Sequence, residues 1–157
     1  MEQKKAQGDK LAQLVTFIIG EEVYAVEILK VQEIIRLMDI TRIPKAPDFV
    51  EGVINLRSRV IPVIDLRRRF KLAARPHDKD TRIIILEVYG VVVGFGVDSV
   101  SEVLRIPANT IDQAPPILAG HEQDYIKGVG KIQDRLLIFL DLENLFSLEE
   151  MELLGSI

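Results

Sequence analysis

Cysteine and tryptophan are absent from this 157-residue chain, and histidine occurs only twice. Without cysteine there is no disulfide framework, no thiolate metal ligand and no thiol nucleophile, and a reducing compartment suits the chain. His77 and His121 stand in polar, loop-like stretches with no ligand-spaced partner such as H-x-x-x-H, so zinc chemistry lacks its donors. No apolar run approaches the roughly 20 residues that span a bilayer. The polar opening MEQKKAQG lacks the apolar core of a secretory signal. The expectation is a soluble, cytoplasmic protein whose residues 1–13 are disordered.

The constellations that catalysis needs are missing as well. Gly128-Val129-Gly130-Lys131 resembles a phosphate loop only superficially. The first glycine of such a loop would be Tyr125, and its magnesium-binding hydroxyl would be Ile132. Gly94-Phe95-Gly96 has Ser99 where a dinucleotide fingerprint needs its third glycine, and it sits inside a predicted strand, where close packing or a bend explains it better. Asp65 and Asp141 invite a reading as a carboxylate pair, but each precedes a short helical turn that it can cap. No catalytic residue, cofactor or metal site is expected.

Apolar residues make up 48% of the chain, ample for a core, and they fall in short β-rich segments with turn punctuation. Leu14–Ile19 and Val23–Val26 flank a Gly20-Glu21-Glu22 turn. Val50–Leu56 and Arg59–Ile64 flank Arg57-Ser58, while Thr81–Val88 and Val91–Val97 flank Tyr89-Gly90. Ile126–Ile132 and Arg135–Leu140 flank Gln133-Asp134. The second half repeats the first. Phe49–Phe70 lies over Tyr125–Phe146 at an offset of 76, and Ala25–Ile35 lies over Gly94–Leu104 at an offset of 69. Ala46-Pro47 falls on Ala114-Pro115 at 68, which places an eight-residue insertion within Pro116–Asp124. The pattern predicts an all-β chain in two halves of about five strands each. The first barrel covers roughly 14–75 and the second 80–146, with a linker at 73–80. Leu66 with Phe70, and Leu142 with Phe146, plug the barrel ends. Ser147-Leu148-Glu149-Glu150 opens a C-terminal helix, not assigned to either half, with a capping box.

The net charge of −4 hides a segment, Arg57–Arg75, with seven basic residues and one acid. Two readings compete. A basic groove on a small barrel can bind single-stranded nucleic acid, although the stacking aromatics are wanting here. Alternatively, the segment is a solvated face paired with the protein's own carboxylates, among them those of the acidic C-terminal stretch.

The residues Tyr24–Ile34 (YAVEILKVQEI), Thr41-Arg42-Ile43-Pro44, Phe49–Arg57 (FVEGVINLR) and Pro62–Arg67 (PVIDLR) resemble the CheW-type coupling proteins of bacterial chemotaxis, and Val93–Leu104 and Tyr125–Gly130 agree. The resemblance runs from about Leu14 to Leu154. It implies two SH3-like five-stranded β-barrels packed side by side, and a non-catalytic adaptor joining the cytoplasmic tips of chemoreceptors to the regulatory domain of the histidine kinase CheA at membrane-associated arrays. That kinase domain and the front half of CheV-type proteins share the motifs, but no kinase or receiver region is present here. A paralogue serving another receptor array is the alternative within the family.

By the same resemblance, Ile28, Val31, Glu33 and Arg57, with Thr81 and Arg82 on the facing strand, are expected to contact the receptor in a groove between barrels. Core packing is the competing reading for Ile28 and Val31, and a solvated turn for Arg57. Val50, Gly52 and Val53 are the expected kinase contacts at the end of the first barrel. The family follows its Asn-Leu-Arg with glycine, whereas this chain has Ser58, which carries a cost of roughly 1 kcal/mol if the turn requires positive φ.

Overall fold

The computed structural model describes residues 11–108 and 125–157. Ten strands account for most of them: β1 (Leu11–Ile19), β2 (Glu22–Glu27), β3 (Val31–Arg36), β4 (Val50–Leu56), β5 (Arg59–Asp65), β6 (Arg82–Val88), β7 (Val91–Val97), β8 (Ser99–Pro107), β9 (Ile126–Ile132) and β10 (Arg135–Leu140). The helical elements named among the described residues are α1 (Leu66–Arg69), α2 (Leu148–Gly155) and the 3-10 turns Ile28–Lys30 and Leu142–Asn144. The N-terminal boundary differs from expectation. Leu11, Ala12 and Gln13 already pair with Pro107, Ile106 and Arg105, so the sheet begins inside the stretch expected to be disordered. The insertion expected at Pro116–Asp124 and His121 lie outside the described residues.

Three hairpins turn on two residues that both have positive φ: Arg57 (49°) and Ser58 (66°), Tyr89 (49°) and Gly90 (79°), Gln133 (50°) and Asp134 (65°). This backbone matches the twist of the flanking strands and favours glycine at its second position. Ser58 therefore carries the penalty anticipated from the sequence. Ser58→Gly is expected to raise unfolding stability by about 1 kcal/mol. A urea midpoint that does not move upward would contradict it.

The strands form two five-stranded sheets, β8-β1-β2-β10-β9 (sheet A) and β3-β6-β7-β5-β4 (sheet B). Neither sheet belongs to one half of the sequence, so the division into a 14–75 barrel and an 80–146 barrel does not describe the folded chain. Each sheet takes the first hairpin of one half and the last three strands of the other. The repeat survives the exchange residue by residue. Val31 opposes Leu86 as Val100 opposes Phe17, and the parallel pairs Val63–Gly94 and Phe139–Ala25 correspond at the same offsets. The bonds from Asp65 N to Phe49 O and from Asp141 N to Tyr125 O, both 2.7 Å, are also equivalent.

The sheets are rolled, not fully laddered, relatives of the expected SH3-like barrels. In sheet B the chain leaving β3 returns to edge strand β4, where Thr41 and Val53 exchange two 2.8 Å backbone hydrogen bonds. Gly52 makes this seam possible. A Cβ there would stand 2.3 Å from the Thr41 carbonyl oxygen and 2.8 Å from Ile40 Cγ2.

Apolar side chains separate into three clusters. Leu14, Ala25, Ile106, Leu137 and Phe139 fill sheet A, and Ile54, Ile61, Val63, Ile83 and Ile85 fill sheet B. The largest cluster lies between the sheets and includes Phe17, Tyr24, Ile64, Phe95, Leu140 and the plugs Leu66, Phe70, Leu142 and Phe146. The caps fall where the sequence places them. Asp65 accepts from Arg67 N (3.0 Å) and Arg68 N (3.3 Å), and Asp141 accepts from Glu143 N (3.2 Å). The Ser147–Glu150 capping box is complete. Helix α2 joins the shared core through Met151 and Leu154. Arg69 fastens it there: its guanidinium donates to Glu150 and to the Leu145 carbonyl, and lies 5.0 Å from the Phe49 ring centre.

Candidate functional site

The 3-10 turn Ile28–Lys30 carries the chain from sheet A to sheet B and delivers it into β3. Ile28 and Val31 are half-buried against the shared core, so each side chain has one face packed and one face open. The next residue on that side, Ile34, opposes the buried Ile84 and is 39% exposed. The repeat builds a second strip. Val100 opposes Phe17 and packs on the same core, and Val103 opposes Val15 and is 52% exposed. Ile34, Val100 and Val103 are absent from the residues expected to act at the receptor surface. The 69-residue offset pointed to the last two, because it carries Val31 onto Val100 and Ile34 onto Val103.

Arg57 and Glu33, expected to act at one surface, are brought into direct contact. The Arg57 guanidinium donates through Nη2 to Glu33 Oε2, joining the β4–β5 hairpin tip to β3. Arg57 is the more open partner. An ion pair this exposed adds little stability, and the guanidinium's other N–H groups are available to an incoming carboxylate or carbonyl oxygen.

Other expectations are corrected by burial. Thr81 is only 5% exposed, and its hydroxyl accepts from Asp78 N (2.9 Å); it closes the loop into β6 and offers no surface contact. Arg82 lies beside it, half-buried, with Nη1 donating to the Lys79 and Thr81 carbonyls, both at 2.9 Å. Val50 belongs to the shared core and Gly52 to the Thr41 seam, so neither is available as an adhesive residue. Val53 alone of the three stays partly open. The open apolar positions near the hairpin tips are instead Val60, 56% exposed, and its repeat equivalent Leu136, 49% exposed.

The basic segment is largely neutralised from within. Arg57 pairs with Glu33, Arg67 with Asp98, Arg68 with Asp65, Arg69 with Glu150, and Arg75 with Asp78 and Asp98. Five of its seven cations are thus engaged, one of them by the acidic C-terminal stretch, so the segment itself offers little unpaired positive charge to a nucleic-acid strand. Asp98 is the hub. It accepts from Arg67 Nε (3.1 Å) and Nη2 (2.6 Å), from Arg75 Nη1 (3.2 Å) and from Gly20 N (2.7 Å). Burial pushes its carboxyl upward, but the Arg67 hydrogen bonds, the Gly20 N–H and the two positive charges outweigh burial and hold it below its ordinary value. The same hydrogen bonds raise the Arg67 guanidinium. Among the described residues, no group of acidic or histidine side chains is arranged to hold a metal ion. No described helix is long and apolar enough to cross a membrane.

The family model described as "CheW-like domain" matches residues 13–150. The chain is 40% identical over 154 residues to a protein of Klebsiella aerogenes named Chemotaxis protein CheW, covering 98% of this chain and 93% of that one. It is 37% identical over 142 residues to the Chemotaxis protein CheW of Helicobacter pylori, covering 90% and 86%. Among solved structures, the scaffolding protein TtCheW of Thermoanaerobacter tengcongensis superposes with a TM-score of 0.82 at 39% identity, over 90% of this chain and 91% of that one.

Proposed function

The chain belongs to the CheW-like domain family, and on that premise we propose that it is a non-catalytic adaptor coupling chemoreceptors to the histidine kinase CheA in chemotaxis signalling. It would work in the cytoplasm, recruited to receptor arrays at the membrane. The observation that carries the finer reading is the Arg57–Glu33 pair standing beside half-open apolar strips on the shared core. Such a surface suits an amphipathic helical hairpin, the form expected of a receptor tip. Apolar side chains one helical turn apart rest on Ile28, Val31 and Ile34 from one sheet and on Val100 and Val103 from the other, while Arg57 meets a carboxylate or a helix-end carbonyl. Arg57→Glu replaces five donors with a second acid beside Glu33. It is expected to weaken receptor binding by about tenfold or more with the thermal midpoint unchanged. Pull-downs in which receptor, adaptor and kinase still assemble normally would remove Arg57 from this role.

Kinase binding is assigned to the apolar ends, with Val53 and Val60 on sheet B and Leu136 on sheet A. The repeat thereby furnishes two similar adhesive faces on one chain. Val60→Asp is expected to reduce kinase affinity more than receptor affinity. The reverse ranking in parallel titrations would move the kinase face elsewhere.

A further inference from the structure

The two halves meet at two seams that the repeat makes equivalent. At the first, the β1–β2 tip at Gly20, the crossing residue Asp98 and Arg67 of α1 converge in the hydrogen-bonded hub described above. At offsets of 69, 69 and 76 their counterparts are Tyr89, Leu29 and Glu143. These three also converge, lining one groove at the second seam together with Lys30 and Glu87.

The seams differ in what fills them. The first is closed by the chain itself. Arg67 donates to the Ala73 carbonyl (2.9 Å), Arg75 reaches Asp98, and the segment following α1 lies over the seam and leaves only ≈ 20 Å³ of free space. At the second seam the groove holds ≈ 390 Å³. Leu29 is 93% exposed and Tyr89 62% exposed. The β6–β7 tip holds Tyr89 at positive φ, a conformation a bulky side chain rarely adopts.

We propose that this groove is a docking site for an extended partner segment presenting an arginine or lysine next to an aliphatic side chain. The filled seam supplies the template: there, Leu72-Ala73-Ala74-Arg75 follows α1, its Ala73 carbonyl accepting from Arg67 and its Arg75 donating to the Asp98 carboxylate. In the open seam the carboxylates are Glu87 and Glu143, against the single cation Lys30, so the groove favours a positive insert. Leu29 and Tyr89 give the aliphatic side chain an apolar floor and wall. The groove adjoins the receptor strip through the Ile28–Lys30 turn, but Leu29 is 93% exposed while Ile28 and Val31 pack on the shared core, so its test does not depend on the receptor or kinase reading.

The probe is the chain's own template, a peptide of residues 72–78 (LAARPHD), titrated into the isotope-labelled full-length protein and followed by backbone amide shifts. Saturable shifts are expected, largest at residues 29, 30, 32, 87–90 and 142–143, with affinity several-fold lower for the peptide carrying Arg75→Glu. Leu29→Ser and Glu143→Lys in the protein should each weaken binding of the unsubstituted peptide while leaving the rest of the spectrum, and receptor and kinase affinities, unchanged. Absence of saturable shifts at several millimolar peptide would overturn the proposal. So would equal binding of both peptides, or binding that neither variant weakens.

Discussion

Asp98→Ala is expected to destabilise the protein by about 3 kcal/mol, near the lower end of what breaking a largely buried ion pair brings. Both partners are shielded, with the Arg67 side chain 15% and the Asp98 side chain 13% exposed. Truncation leaves the Arg67 guanidinium without its carboxylate and strips the Gly20 N–H of its acceptor. The same substitution should change the response to acid. The Asp98 carboxyl titrates lower in the folded chain than in the unfolded one. Its stabilisation is therefore fully present above the unfolded value of about 3.9 and is lost as pH falls through the lower, folded value. Urea midpoints measured between neutral pH and strong acid should show a steeper acid loss in the unsubstituted chain than in the variant. A variant with an unchanged neutral midpoint would mean that the hub is solvated in solution.

Gly52→Ala should cost about 2–3 kcal/mol, although it adds one methyl group. The added Cβ cannot be accommodated by rotating a side chain, because the nearest atom is the Thr41 backbone carbonyl at 2.3 Å. Either the Thr41–Val53 bridge opens or β4 shifts outward. Amide exchange distinguishes this from a general loss of stability. The Thr41 and Val53 amides should lose protection beyond the global change, while those of β1 and β8 in sheet A follow it. Retention of both amides' protection would show that the seam has slack the geometry does not suggest.

The elements were legible in the sequence because they depend on local chemistry. Two-residue turns between alternating apolar runs marked the hairpins, Asp65, Asp141 and Ser147 marked the caps, and a constant offset marked the repeat. The pairing of strands across halves was not legible. The counterparts Leu14 and Ile83, or Val23 and Val92, offer the same apolar faces, so β3 could be written against β1 or β6 with the same register. In the folded chain both crossings, through Ile28–Lys30 and through Asp98, carry the next strand to the other sheet, and no residue of the sequence marks that choice.

The resemblance placed Arg57 and Glu33 at one surface, and in the folded chain the two side chains are in direct contact. It failed where exposure depends on tertiary contacts. Val50 and Val60 look alike in sequence, yet one lies in the shared core and the other in solvent. Gly52 looked like a surface position because the return of Ile40 and Thr41 across β4 leaves no sequence mark of its own.

The exchange of hairpins also bears on how the chain is made. Val15 waits for Val103, and β2 for β10, so sheet A lacks three of its five strands until the C-terminal third of the chain has been synthesised. Sheet B is assembled from a continuous stretch, Val31–Val97, and is complete first. During translation the β1–β2 hairpin must therefore persist with both edges open, a slow, long-range closure of the kind that invites pairing with a neighbouring nascent chain.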